Sequence, residues 1–249
     1  MKADFESYFD EYVRRNNNKQ ESIYYAESIE HSENVKKIFN SIGENQDQVI
    51  LDAGCGIGNF LVLLSKKCKH IYGFDISKES VIFCKKRIQE ENIKNASVQV
   101  ASLIAIPLSD KSINKIICFS VLHYLTEEET VLSLKEFKRV LKDDGSIIIN
   151  FVNGNSPWGI STKLIRIVRQ IIKGRKEYSS DYISYKKLIQ NIENLKGRAT
   201  LCHSAYFYPV YFPVKLADCI GNHFYFERFL PGFIQKFGKS ITIQVQFNA

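Results

Sequence analysis

The chain lacks any hydrophobic run long enough to span a bilayer, so no membrane helix is expected. Met1-Lys2-Ala3-Asp4 is not followed by the apolar core of a secretory signal. The cysteines Cys55, Cys68, Cys84, Cys118, Cys202 and Cys219 show no Cys-x-x-Cys spacing. That argues against zinc and for small core residues in a reducing compartment, with a cytoplasmic location expected. No acidic metal-binding set is visible, so no metal is expected. Internal repeats and low-complexity tracts are missing, as is any recognisable RNA-binding module, and no nucleic-acid partner is expected.

What is present reads as a globular protein. The 249 residues are 45% apolar and 24% charged, ordinary values for one elaborated α/β domain or a domain with a lid. Charge is uneven along the chain. Residues 1–150 carry 20 Lys and Arg against 22 Asp and Glu, a net of −2, while residues 151–249 carry 14 against 5, a net of +9. The basic last part is either a solubilising surface or an attraction for an anionic substrate, a lipid head-group surface or a nucleic acid.

One stretch organises the rest. Val49-Ile50-Leu51 is a short apolar strand that runs through Asp52 into Gly54-Cys55-Gly56-Ile57-Gly58, after which Phe60, Leu61, Leu63 and Leu64 begin a helical pattern. A second acidic residue, Asp75, ends the next strand, Ile71-Tyr72-Gly73-Phe74. Glycines leave room for a ligand, and a carboxylate at the following strand end can accept both hydroxyls of a ribose. A dinucleotide fingerprint wants a third small residue where this chain has Asn59, which disfavours a nicotinamide-dependent oxidoreductase.

The pattern Asp52-x-Gly54-x-Gly56-x-Gly58 resembles motif I of the class I S-adenosylmethionine (SAM)-dependent methyltransferases. The resemblance implies an α/β fold, a doubly wound and mostly parallel seven-stranded sheet with an antiparallel last strand and a helical lid. It implies SAM as cofactor. It places Asp52 near the cationic amino-acid end of SAM, with Gly54, Cys55, Gly56, Gly58, Asp75, Ile76 and Phe119 around the cofactor. Many small-molecule members carry an aspartate five residues before a Leu-Pro proline. Counting back from Pro107 gives Ser102, so Ser102 and the neighbouring Leu103 are the expected adenine contacts. The strand-opening aspartate usual before the fourth strand is Asn114 here.

The remaining elements follow in order. Helices are expected over 4–15, 32–42, 78–92 (capped by Ser77), 127–141 (capped by Thr126), 157–173 and 183–195. Strands are expected at 97–101, 114–120, 146–152, 200–208 and 240–247. Arg139-Val140-Leu141-Lys142-Asp143-Asp144-Gly145 is similar to the family's turn into strand five. The family layout divides residues 1–249, one methyltransferase domain, into an N-terminal helical cap at 1–44, a SAM-binding core at 45–152, a helical insertion at 153–198 and closing strands at 199–249. Tyr8, Tyr12, Tyr24 and Tyr25 are lid candidates. The helix over 157–173 has Lys163, Arg166, Arg169 and Lys173 on one side, a pattern that suits a membrane surface, a substrate cover or a solvated face.

Methyl transfer from a sulfonium is a direct displacement, and the protein aligns the nucleophile and excludes water. His123 follows the fourth strand and is the candidate general base, its ordinary pKa suiting a proton acceptor near neutrality. Tyr124 is a substrate candidate. No Asn-Pro-Pro-Tyr-like motif follows strand four, which disfavours methylation of DNA bases; Asn155-Ser156-Pro157-Trp158 echoes it only after strand five. The chain is similar to the group that includes the quinone-biosynthesis methyltransferases. The expected acceptor is a small or lipid-like molecule, anionic if the basic C-terminal part binds it. The rival is a SAM-binding regulatory or partner protein that catalyses nothing, favoured by Ser102 and Asn114.

Overall fold

The structure is a computed structural model that describes Asp10, residues 46–157 and 159–161, Leu164, Val168, residues 183–205, Lys236 and residues 240–247. The expected helices over 4–15 (Asp10 apart) and 32–42, the tyrosines Tyr8, Tyr12, Tyr24 and Tyr25, and the basic residues of the 157–173 helix lie outside these residues.

The elements alternate as β1 (Val49–Ala53), α1 (Asn59–Ser65), β2 (His70–Asp75), α2 (Lys78–Glu90), β3 (Ala96–Val100), β4 (Ile113–Phe119), α3 (Glu127–Val140), β5 (Leu141–Val152), α4 (Tyr185–Asn194), β6 (Gly197–Ala205) and β7 (Ser240–Phe247). Seven strands hydrogen-bond in the order β3-β2-β1-β4-β5-β7-β6. β1 pairs in parallel with β2 and β4, and β2 with β3, while β6 and β7 are antiparallel with a bulge between Leu201 and His203. The strand order reverses direction between β1 and β4, the place where open α/β sheets bind ligands at their carboxyl ends.

Two compact units divide the chain, Met1–Cys118 with Leu132–Ile148 and Ala249, and Phe119–Val131 with Ile149–Asn248. The first has β1 as its central strand. Ile50, Leu51 and Ala53 have no exposed surface, as expected for a parallel strand covered on both faces. Leu61 and Leu64 of α1, Val81 and Cys84 of α2, and Ile71 and Phe74 of β2 complete the core around it. Ser77 caps α2 as its spacing predicts, its Oγ accepting the Ser80 N–H at 3.1 Å.

Two features of this unit explain residues that the family pattern only marked. Asn114 Oδ1 accepts the Val49 N–H at 3.0 Å and the Lys142 ammonium at 3.1 Å. The acceptor an aspartate would offer at the start of β1 is retained by the amide, so this departure concerns the amino ends of the strands, opposite the glycine turn. Arg139 presents its planar fork to Glu136, with Nε and Nη2 at 2.8 and 2.9 Å. Its Nη1 reaches Leu108 C=O at 2.8 Å and Asp110 at 2.7 Å, and Nη2 reaches Ile106 C=O at 2.8 Å. One guanidinium thereby ties α3 to the loop ahead of β4, a task that one ammonium of lysine lacks the geometry to perform.

The second unit holds the β6–β7 hairpin, with α4 against β6. Leu188 and Ile192 of α4 and Ile241, Ile243 and Val245 of β7 are buried. Thr126 and Glu129 form a reciprocal cap at the start of α3, with the Glu129 N–H on Thr126 Oγ1 at 3.2 Å and the Thr126 N–H on Glu129 Oε2 at 3.1 Å. Asn153 is fully buried after β5; its amide donates to Lys236 C=O at 2.9 Å, and its Oδ1 accepts the N–H groups of Asn155 and Tyr185, each at 3.2 Å. Ser156 caps the following turn by accepting the Gly159 N–H at 2.9 Å. The asparagine-rich stretch there is scaffolding.

The structure shifts some expected boundaries. β5 begins at Leu141, so Asp143-Asp144-Gly145 belongs to the strand instead of preceding it. A side chain at Gly145 would meet Leu141 Cγ at 2.6 Å and Asn114 C=O at 2.9 Å, a crowding that no local pattern announces. β6 starts at Gly197, three residues before the expected Thr200.

Candidate cofactor site

At the carboxyl end of β1 the chain turns through three glycines in the left-handed region, with φ of +83° at Gly54, +50° at Gly56 and +85° at Gly58. Side chains are strained there, which is why the turn is spelled with glycine. The turn is fastened to the end of β2. The N–H groups of Gly54 and Cys55 both donate to Phe74 C=O, at 2.7 and 3.0 Å, and the Gly58 N–H donates to Cys55 C=O at 2.9 Å. A Cβ placed on Gly56 would have no described atom within 4 Å, so the turn faces open space at that point. A Cβ on Gly58 would overlap Cys84 Sγ of α2.

Asp75 is held by the same turn. Its Oδ2 accepts the Gly56 N–H at 2.8 Å and its Oδ1 accepts the Ser77 N–H at 2.9 Å. Each carboxylate oxygen keeps a lone pair beyond these bonds, two acceptors for two neighbouring hydroxyls. Burial raises its pKa, against the pull of the Ser77 and Gly56 N–H groups.

Asp52 is 3% exposed and its Oδ2 has no hydrogen-bond partner among the described residues. Burial, and then the nearby charge of Asp75, push its pKa up to about 8, with a hydrogen bond from the Leu61 N–H opposing. No described basic side chain pairs with either carboxylate. A buried anion with an unused oxygen calls for a cation or a proton.

Ser102 and Leu103 follow the end of β3, where the Ala101 N–H donates to Asp75 C=O at 3.0 Å. The first unit therefore brings together Asp52, Gly54, Cys55, Gly56, Gly58, Asp75, Ile76, Ser102 and Leu103. Cys55 is a buried thiol whose pKa is raised well above its ordinary value by a hydrogen bond with Cys84 and by burial, so it is unreactive.

Phe119, His123 and Tyr124 belong to the second unit. His123 is 7% exposed in the single turn Leu122–Tyr124, with the Tyr124 ring centroid 4.0 Å away. Burial pulls its pKa down to about 4, which corrects the expectation of a base poised near neutrality. Tyr8, Tyr12 and Tyr24 lie outside the described residues. Among the described residues no group of His, Cys, Asp and Glu could hold a metal ion.

Three contributors carried no local signal. Arg87 of α2 donates to Asn59 Oδ1 at 2.7 Å and to Ile57 C=O at 3.2 Å, bracing the outer side of the glycine turn. Asn59, which breaks the dinucleotide pattern, thus has a structural role of its own. Asp10 reaches the N-terminus of α2, and Cys84 lies beneath Gly58.

The reversal in strand order, the glycine turn and the two acidic residues at successive strand ends are the features that resemble the class I SAM-dependent methyltransferase family. The chain belongs to that family: residues 44–203 match the family described as Methyltransferase domain. An uncharacterized methyltransferase-like protein of Schizosaccharomyces pombe is 26% identical over 145 residues, 57% of this chain and 51% of that protein. The chain spans about half the length of the curated relatives it matches. The fold is shared with magnesium protoporphyrin IX methyltransferase from Synechocystis, solved with bound S-adenosylhomocysteine (SAH), at a TM-score of 0.65 and 15% identity, covering 99% of each chain. It is shared also with phosphoethanolamine N-methyltransferase 1 of Haemonchus contortus, solved with phosphoethanolamine and SAH, at a TM-score of 0.65 and 15% identity, covering 100% of this chain and 49% of that one.

The site fits SAM on its own chemistry. Asp52 offers an unused buried carboxyl oxygen that a positively charged ligand would drive to its ionised form, Gly56 faces open space, and Asp75 keeps two acceptors for a ribose.

Proposed function

We propose that this protein transfers a methyl group from SAM to a small-molecule or lipid-like acceptor by in-line displacement, with His123 as general base. The observation that carries the reading is the buried Asp52 carboxyl with its unpartnered Oδ2 beside the open glycine turn. In this reading Asp52 offsets the charge at the amino-acid end of the cofactor, Asp75 accepts from the ribose, and Ser102 and Leu103 flank the adenine. The cofactor supplies the activated methyl group. The chain's own part is to bind, orient and exclude water. Two proteins sharing the fold are named for small acceptors, magnesium protoporphyrin IX and phosphoethanolamine, which supports an acceptor of that kind.

Calorimetric titration with SAM, followed by SAH formation across acceptors ranging from small alcohols and amines to lipids in anionic vesicles, tests the reading. Asp75→Ala is expected to weaken SAM binding about a hundredfold, because two charge-assisted hydrogen bonds go with it. Wild-type affinity in that variant would sink the assignment. SAM binding without SAH from any acceptor would leave the non-catalytic rival. That rival rests on Ser102 alone, since Asn114 is accounted for at the amino ends of β1 and β4.

The low pKa of His123 gives a pH signature. A ring held near 4 is neutral throughout the physiological range, so the acid limb of kcat due to His123 belongs near pH 4 and not near 6.5. The same shift makes the fold lose stability as pH falls from 6.5 towards 4, because the unfolded chain takes up the proton first. His123→Asn is expected to lower kcat about a hundredfold with SAM affinity unchanged. Unaltered kcat in His123→Asn would remove it from the chemistry.

A further inference from the structure

Asp10 is the one residue ahead of position 46 among those described, and it stands at the N-terminus of α2. Its Oδ1 accepts two hydrogen bonds, from the Ser77 hydroxyl at 2.6 Å and from the Glu79 N–H at 3.1 Å. α2 already has a local cap, since Ser77 Oγ accepts the Ser80 N–H at 3.1 Å. A carboxylate brought from 67 residues upstream to a helix start already capped by a hydroxyl is therefore more than a cap.

Its effect passes through Ser77. A serine hydroxyl that accepts from one side and donates to the other has no rotational freedom left. Ser77 has no exposed surface, so no solvent competes for that hydroxyl. The backbone N–H of the same residue donates to Asp75 Oδ1 at 2.9 Å. The Asp75 carboxylate is thus gripped from two sides, by the Gly56 N–H of the glycine turn and by a corner of chain that Asp10 fixes from behind. These contacts all lie within the first unit.

We propose that Asp10 is a positioning residue for the Asp75 carboxylate, setting the angle at which it meets the hydroxyls of a ribose. The inference rests on the cofactor site proposed above. Asp10 touches no ligand; it decides how rigidly the residue that does is presented. Without it the Ser77 hydroxyl and the Glu79 N–H lose their acceptor, the start of α2 loosens, and the Ser77 N–H no longer holds Asp75 Oδ1 at a fixed angle.

The test is the protein's discrimination between SAH and its 2′,3′-dideoxy analogue, measured by calorimetry on the full chain. Wild-type is expected to favour SAH about a hundredfold, and Asp10→Ala to cut that preference about tenfold, with affinity for the dideoxy analogue almost unchanged. Asp10→Asn keeps an oxygen acceptor in place and is expected to retain most of the preference. Should Asp10→Ala fold poorly, Asp10→Ser, polar but too short to reach both donors, takes its place. Equal weakening of both ligands would show a merely structural role and overturn the proposal. So would unchanged discrimination in the variant. If wild-type binds neither ligand, the cofactor site itself fails, an outcome distinct from these.

Discussion

Asp52→Asn is expected to stabilise the ligand-free protein at pH 7 by about 2–4 kcal/mol while weakening its hold on SAM at least about tenfold. The two effects share one cause. Burial and the charge of Asp75 hold the Asp52 carboxyl at a pKa of about 8, against 3.8 for an ordinary aspartate. Between those values the folded protein carries a proton that the unfolded chain has given up. The unfolded state is thereby favoured, and stability falls as pH rises from about 4 to about 8. The amide has no such proton to lose, so the gain over wild-type should vanish near pH 4 and grow with pH. Chemical denaturation at pH 4, 7 and 8.5 reads this directly. An Asp52→Asn protein no more stable than wild-type at pH 8.5 would falsify the claim that a buried ionisable group strains the fold here.

Ligand binding should show the opposite trend. A cation near Asp52 favours the carboxylate, so the proton leaves as SAM binds and affinity rises with pH up to about 8. Calorimetry in buffers of different ionisation heat would register the released proton, and Asp52→Asn would release none. The chain thus trades stability of the empty fold for affinity, a pattern common where a site buries an ionisable group that only its ligand pairs.

Local chemistry explains why so much of this molecule is legible in its sequence. β1 and β2 carry acidic residues at their ends after short apolar runs, Ser77 and Thr126 sit where helix N-caps belong, and a glycine turn with positive φ has few other spellings. What stayed hidden depends on residues far apart in the chain. Asn59 carries no hint that Arg87 holds it, nor Ser77 that Asp10 does. The low pKa of His123 comes from its burial, which no run of neighbouring residues encodes. Ser102 and Leu103 are candidates only by counting back from Pro107, because one hydroxyl and one leucine announce nothing by themselves. Asn114 departs mildly from the family's aspartate, yet it retains the acceptor for the start of β1.

The glycines of the turn should fail in two different ways. Gly58→Ala places a methyl group onto Cys84 Sγ and forces alanine to φ +85°. Left-handed backbone costs about 1–2 kcal/mol and overlap in a packed core about 1–3 kcal/mol, so a loss of about 2–5 kcal/mol is expected. Cys84 has no exposed surface, and trimming it to alanine opens the space that the new methyl needs. Gly58→Ala/Cys84→Ala should therefore be more stable than the two single losses added together, by about 1–2 kcal/mol, with the backbone part of the cost remaining. Gly56→Ala meets no such obstacle, since no described atom lies within 4 Å of the added carbon and φ is +50°. Its stability should fall by about 1 kcal/mol only. Its methyl, however, projects into the space assigned to the cofactor, and SAM affinity should drop by about two orders of magnitude. Denaturation and calorimetry on the same preparations separate the two, because one glycine is required by packing beneath the turn and the other by what the turn must admit. A Gly56→Ala protein that binds SAM within twofold of wild-type would mean that the open space above the turn belongs to no cofactor.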